Sequence, residues 1–386
     1  MAPRIVLSDS WKLNDTVIER TFHPVGQGGF YTEVIQRYWC SSEEFVVVYD
    51  CGTLSAKATA MGVIDQFFTL RKVKKIDLLI ISHFDADHVN LIPYLFDQGI
   101  QVSKVLVPYI SKEEFRLTFL FCATQESEED RKVAINVLTG VFPEYAKELD
   151  VLDEGNIFAD TTVLYVDSIT TDNGDFEPEE QVDIDELTES FSKIGGKRKL
   201  STKYAPKWFL LPRNYDFENQ RENLELALFN AGMSYTELSC VKKLRDSSSL
   251  NLIRRIYKDL EGTVNQTSLL VLTGVWSAER TVRAGCLLSG DFPTDKVEVR
   301  SLFPVNSCEN LELVQVPHHG SSAHFDIHNF LPNRIDAIAV VHAGHTNRYD
   351  HPRTKTLVEV SKRVAGTLIV TEKSLLTTFM LTLANS

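Results

Sequence analysis

The stretch Ile76-Asp77-Leu78-Leu79-Ile80-Ile81-Ser82, followed at once by His83-Phe84-Asp85-Ala86-Asp87-His88, decides the fold. The first seven residues form a near-continuous apolar run of strand length, the pattern of a strand covered on both faces. The next six hold four potential metal ligands: His83, Asp85, Asp87 and His88. Two donors separated by one residue leave an extended strand end on the same side, which pairs His83 with Asp85. Asp87 and His88, adjacent on a turn that enters a helix, aim at a second position close by. Two divalent ions about 3.5–4 Å apart are the two-metal arrangement of hydrolytic sites. The plain alternative is a polar loop whose carboxylates cap a helix, but four donors in six residues are denser than capping requires.

Working outward, residues 16–22, 33–38 and 45–50 are rich in β-branched and aromatic residues and read as strands, with Gly26-Gln27-Gly28-Gly29 as a tight turn after the first. Residues 58–71 place Met61, Ile64, Phe67 and Phe68 at helical spacing. A short helix is expected over 91–96 and a strand over 102–108. Strand patterns return at 249–256, 268–272, 285–289, 312–316 and 335–341. The stretch between differs in character. Residues 111–149 are charged and helical in pattern, and 218–231 again carry a helical apolar face. Residues 167–189 hold ten Asp/Glu and no Lys or Arg, whereas 193–213 hold seven Lys/Arg and no acid. The acidic stretch reads as a solvated loop and 195–199 as an exposed turn. The expected organisation is a core of residues 1–110 and 236–386 with a partly helical insertion at 111–235, a surface on which a protein partner would bind.

Nine of the ten histidines fall in two regions, and none lies between His88 and His318. Chance scatter would not usually leave more than half the chain empty, so the two regions are expected to converge on one site.

Further motifs follow in order: Val25-Gly26-Gln27-Gly28-Gly29, Val48-Tyr49-Asp50-Cys51-Gly52, Leu287-Leu288-Ser289-Gly290-Asp291, Val316-Pro317-His318-His319-Gly320-Ser321 and Asn347-Arg348-Tyr349-Asp350-His351-Pro352. With the His83–His88 segment, this set resembles the motifs of the metallo-β-lactamase superfamily, and most closely the hydrolase domain of ComEC-type DNA-uptake proteins and their soluble relatives. Asp85 stands where a second histidine is usual, and Asp350 where a glycine is. The resemblance covers residues 22–110 and about 245–375. It implies an α/β fold, the αββα sandwich of that superfamily, with Asp291 bridging two metals and His351 in the active site. His318 and His319 are neighbours, so in an extended loop they point apart. His319 is read as the ligand and His318 as a substrate-facing acid, with the reverse left open. Many members supply one more histidine between the first motif and the bridging aspartate. Here Asp246 or Asn265 is the candidate stand-in. His23, His324, His328, His342 and His345 are read as structural or surface residues, and Cys51 and Cys286 as buried apolar ones.

The implied cofactor is one or two divalent ions, Mn²⁺ or Zn²⁺, with Mg²⁺ also suited to a carboxylate-rich set. The expected reaction is metal-dependent hydrolysis of a phosphodiester, by a nuclease or a phosphodiesterase. His318, Arg348 and Tyr349 would face the non-bridging oxygens, and Lys197, Arg198 and Lys199 the phosphates of a polymer. Ester, thioester or lactone hydrolysis on the same scaffold is the rival, and a non-catalytic metal-binding interaction module the third reading. The net charge of −13 argues against a protein that coats nucleic acid, without excluding a nucleic acid or small phosphodiester substrate in one cleft. Six scattered cysteines without a C-x-x-C pair indicate neither a zinc ribbon nor a disulfide framework. Residues 1–15 are charged and lack the apolar core of a signal peptide, and no run approaches a membrane span, so a cytoplasmic location without a membrane partner is expected.

Overall fold

Side chains along one central strand alternate between two cores: Phe45, Val47 and Tyr49 enter one, Val46 and Val48 the other. Leu78 and Ile80 likewise part from Leu79 and Ile81, and Leu269 and Val271 from Leu270 and Leu272. Apolar runs of this kind need cover on both faces, and two sheets stacked between helical layers supply it. In the computed structural model, residues 4–7, 16–37, 40–125, 127–148, 155–169, 181–195, 198–215, 218–232, 251–253, 255–256, 268–276, 282–304, 307–308, 310–345, 347, 349–374 and 377–383 are described.

The first sheet runs in the order Arg4–Leu7, Thr377–Leu383, Thr16–Phe22, Tyr31–Arg37, Cys40–Tyr49, Leu78–Ile80, Lys104–Pro108, Thr162–Val166 and Ser192–Ile194. The second runs Gln181–Asp183, Lys199–Thr202, Ala205–Tyr215, Leu270–Trp276, Val282–Leu288, Leu311–Gln315, Ile338–His342 and Gly366–Val370, with Ser168–Ile169 pairing beside Ala205–Tyr215. Their inner faces share one core that includes Ile18, Tyr49, Ile80, Trp208, Val271 and Leu288. Helices Lys57–Arg71, Ile92–Asp97, Lys112–Thr124 and Glu128–Val141 cover the outer face of the first sheet. Ile327–Phe330 and Thr354–Ser361 cover the second. The architecture is therefore an αββα sandwich, as the motifs implied. Among the described residues, no helix is long and apolar enough to cross a membrane.

One buried charge pair ties the sheets together. Arg20 and Glu33 of the first sheet are 0% and 1% exposed, and Arg20 Nε donates to Glu33 at 3.1 Å. Glu33 also accepts from Tyr31, and from Trp208 and Thr273 of the second sheet, while Arg20 donates to the carbonyl of Ala284. Four donors around the carboxylate and a carbonyl acceptor for its cation compensate the cost of burying both charges.

One local expectation comes out differently. Residues 251–253 and 255–256 are helical, not part of a strand over 249–256, and Ile253 and Ile256 pack with the helices outside the first sheet. The β-branched content there did not prevail because the apolar positions fit a helix face equally well. Residues 111–235 contribute strands to both sheets. Part of the acidic stretch lies beside part of the basic one: Gln181–Asp183 pairs in parallel with 199–201.

Candidate metal centre

The strands Leu78–Ile80 and Val282–Leu288 each run straight into a motif loop. Ser82, after the first, accepts from Leu269 N–H at 2.9 Å, which joins that loop to the second sheet. Asp291, after the second, donates its N–H to Ser268 Oγ at 3.1 Å, and Gly290 accepts from His318 N–H at 2.9 Å. Three loops distant in sequence thus meet at the ends of their strands.

Around Asp291 the donors draw close. His88 Nε2 lies 3.3 Å and His319 Nε2 3.8 Å from Asp291 Oδ1. His83 Nε2 and His318 Nε2 lie 3.8 Å and 3.7 Å from Oδ2. Asp85 stands 3.7 Å from His83, and Asp87 3.1 Å from His319. Two groups, His83 with His88 and Asp291, and Asp87 with His88 and His319, each keep their ligand atoms within 4.8 Å of one another, all buried. His83, Asp85, Asp87, His88, Asp291 and His319 are therefore brought together, although the last two lie more than 200 residues beyond the first four.

Outer hydrogen bonds decide which nitrogen each ring offers. His88 Nδ1–H donates to Asp50 Oδ2 at 2.8 Å. Ser82 Oγ–H donates to the same oxygen at 2.8 Å, so that hydroxyl oxygen accepts from His83 Nδ1–H, also at 2.8 Å. His319 Nδ1–H donates to the carbonyl of His342 at 3.1 Å. Each ring is thus turned with Nε2 inward, the arrangement by which outer partners orient metal-binding imidazoles. His83 Nε2 and His88 Nε2 are buried without a hydrogen-bond partner while facing carboxylates. Buried polar atoms rarely stay unsatisfied, and a divalent cation would satisfy both at once. The donor set fits such an ion.

Glycines let the loops pack this tightly. A Cβ on Gly52 would stand 2.6 Å from the Asp87 carbonyl carbon and 2.7 Å from His88 N. Gly28, at φ +156, has the Gly52 carbonyl oxygen 2.3 Å from where its Cβ would be. Backbone bonds close the stack: Gly29 N–H to Asp87 O at 3.0 Å, Gly52 N–H to Gly29 O at 2.9 Å and Cys51 N–H to His88 O at 2.8 Å. The Gly-rich turn and the Asp50-Cys51-Gly52 segment are the bed on which the metal loop rests.

No protein-family model matches the chain, and none of the curated proteins does. Among solved structures, an archaeal metallo-β-lactamase superfamily protein from Sulfolobus tokodaii is similar at 15% identity with a TM-score of 0.20, over 52% of this chain. The similarity spans about half, 56%, of that protein's own length.

Electrostatics follow from the crowding. Burial would raise Asp87 and Asp291, but the facing imidazoles, His88 and His319 for the first and these with His318 for the second, hold both below the usual carboxylate range. Burial would lower His88 and His319, yet Asp291 and Asp87, with Asp50 added for His88, hold both above the ordinary histidine value. His351 is pushed down to about 4 by burial and by His318 and His319, and is neutral at neutral pH. Burial, then His319 and His88, push His342 down to about 3.

His318, His351 and Tyr349 line the more open side. The His318 and His351 rings are 5.8 Å apart, and Tyr349 stacks on His351 at 6.0 Å with an interplanar angle of 15°. The expectation that His318 and His319 point apart is corrected. Both hold left-handed backbone, φ 49 and 53, and both rings reach Asp291. Lys199 is not brought to the cluster: its Nζ lies 5.4 Å from the Trp276 ring, and Trp276 pairs with Val282, at the other end of the strand that leads to Asp291. Arg198 directly precedes it, closing a turn on Gly195. Arg348, Lys197, Asp246 and Asn265 lie outside the described residues. The sequence reading missed Asp50, Ser82 and the carbonyl of His342 as orienting groups. Asp50 was in view within its motif, but only proximity to His88 reveals its role.

Proposed function

We propose that this protein is a metal-dependent hydrolase of phosphodiesters. The observation that carries the reading is the convergence of three inward-turned imidazoles and three carboxylates, with two buried nitrogens left facing them. His83, Asp85, Asp87, His88, Asp291 and His319 would hold the ion or ions. A divalent cation there supplies Lewis acidity toward an ester or phosphoryl oxygen and makes water a nucleophile near neutral pH. A carboxylate-rich set favours Mn²⁺ or Mg²⁺ over Zn²⁺ relative to an all-histidine one. His351, neutral and beside His318, suits accepting a proton or a hydrogen bond at the open side, and Tyr349, 40% exposed, suits contact with the substrate. The motif resemblance favours single-stranded DNA or RNA, and the net charge of −13 keeps a small phosphodiester as the rival. Residues 111–235 offer a surface for a protein partner.

The test is metal analysis of the purified protein, then assays on bis-p-nitrophenyl phosphate and single-stranded DNA with Mn²⁺. Cleavage should require the ion and vanish in Asp87→Ala and His88→Ala while both variants stay folded. Metal-dependent cleavage of p-nitrophenyl acetate with no phosphodiester cleaved would give the ester reading the field. Bound metal with neither substrate cleaved would leave the non-catalytic metal-binding interaction module.

A further inference from the structure

The motifs that this chain resembles usually include one more histidine for the first metal position, and none lies between His88 and His318. Measured from the two oxygens of Asp291, the surrounding donors fall into two sets, with His88 also within 4.8 Å of His83. On the Oδ1 side are His88 at 3.3 Å and His319 at 3.8 Å, and Asp87 lies 3.1 Å from His319 and 4.0 Å from His88. On the Oδ2 side are His83 at 3.8 Å and His318 at 3.7 Å, with Asp85 3.7 Å from His83. Donors bound about 2.0–2.2 Å from one ion lie roughly 3–3.6 Å apart, so the separations of 3.7–3.8 Å on the Oδ2 side are slightly longer than a shared ion requires.

We propose that His318 is the ligand that completes the first position, so that the adjacent pair His318-His319 serves two different ions across Asp291. The first ion would be held by His83, Asp85, His318 and Asp291 Oδ2, the second by Asp87, His88, His319 and Asp291 Oδ1. This rests on the metal-centre reading above and replaces the substrate-facing role expected of His318.

The backbone supports the assignment independently. In an extended segment neighbouring side chains diverge, and one of the two rings would leave the cluster. His318, His319 and Gly320 instead take three successive left-handed conformations, φ 49, 53 and 76. For residues with a Cβ this conformation is costly, and it persists where surrounding structure enforces it, often at functional sites. The enforcing bonds are present: His318 N–H to Gly290 O at 2.9 Å, Ser321 N–H to His318 O at 2.8 Å and Arg353 N–H to Gly320 O at 2.9 Å. Gly320 is indispensable to this turn, since a Cβ there would stand 2.6 Å from Pro352 Cβ. The His318 side chain, 28% exposed, sits at the open side with its Nε2 3.7 Å from Asp291 Oδ2.

The experiment is titration of metal-free protein with Co²⁺, read by calorimetry and by visible absorption, for wild type, His318→Ala, His319→Ala and His351→Ala. Wild type should bind two ions. His318→Ala should weaken one ion at least tenfold and retain the other. His319→Ala should weaken the complementary ion, so the two variants keep different absorption spectra. His318→Asp, which restores a donor of shorter reach, should recover part of the lost affinity. Folding is checked by circular dichroism in EDTA. Two ions bound by His318→Ala with wild-type affinities would overturn the proposal. So would loss of the same ion in His351→Ala with none lost in His318→Ala. A wild-type protein that binds no Co²⁺ would overturn the metal-centre reading itself.

Discussion

Gly52→Ala tests the claim that the Asp50-Cys51-Gly52 segment is the bed of the metal loop. Gly52 is not among the glycines of positive φ, so the added methyl acts by contact. It would stand 2.6 Å from the Asp87 carbonyl carbon and oxygen, against an ordinary contact of 3.4 Å, and the Asp87–His88 peptide must retreat by about 0.8 Å. The bonds from Gly29 N–H to Asp87 O and from Cys51 N–H to His88 O resist that retreat. Metal–ligand distances tolerate about ±0.2 Å, so a shift of this size displaces Asp87 and His88 together from a shared ion. Ion affinity should fall about 10- to 100-fold, the usual effect of disturbing the outer support of a metal ligand. Overpacking should cost about 1–3 kcal/mol of stability. Mn²⁺ titration by calorimetry and urea unfolding in EDTA measure the two effects separately. Gly62→Ala is the control, since nothing lies within 4 Å of a Cβ there. It should keep wild-type affinity and gain up to about 1 kcal/mol from helix propensity. Wild-type ion affinity in Gly52→Ala would refute the reasoning, because the methyl would then have been accommodated without moving the ligands.

Two further outcomes are expected. Glu33→Ala should cost about 3–5 kcal/mol in urea unfolding, because it strands the buried Arg20 cation, and Arg20→Met with Glu33→Leu should recover only part of that loss, since Tyr31, Trp208 and Thr273 still lose their acceptor; equal stability of Glu33→Ala and wild type would dissolve the inter-sheet tie. Ion affinity should depend steeply on pH: His88 and His319 are held above the ordinary histidine value, so binding must displace their protons. The sign is that affinity falls as pH falls, beginning above about 6.5, by about tenfold per pH unit for each proton displaced, and a flat response from pH 6 to 8 in calorimetry would contradict it.

Much of this molecule was legible in the chain. The runs at 45–49 and 78–81 have no polar alternation, and such strands are stable only with cover on both faces, which announces stacked layers. His83, Asp85, Asp87 and His88 could be read as one unit because local geometry alone, a strand end followed by a turn, brings them together. That the histidine-rich region after residue 317 would join them was legible from the distribution, but not how. Whether His318 and His319 diverge or converge depends on three left-handed residues that bonds to Gly290 and Arg353 impose, and those partners are distant or follow a turn. Asp50 orients two rings because its strand lies beside the one ending at Ile80, a register that no local pattern encodes. The placement of Lys199 over Trp276, rather than beside the cluster, followed from pairing across the second sheet. Short-range periodicity and donor spacing are written locally and survive in the sequence by itself. Which side of a turn faces which strand is settled only when the sheets pack, because it is set by hydrogen bonds between segments up to hundreds of residues apart.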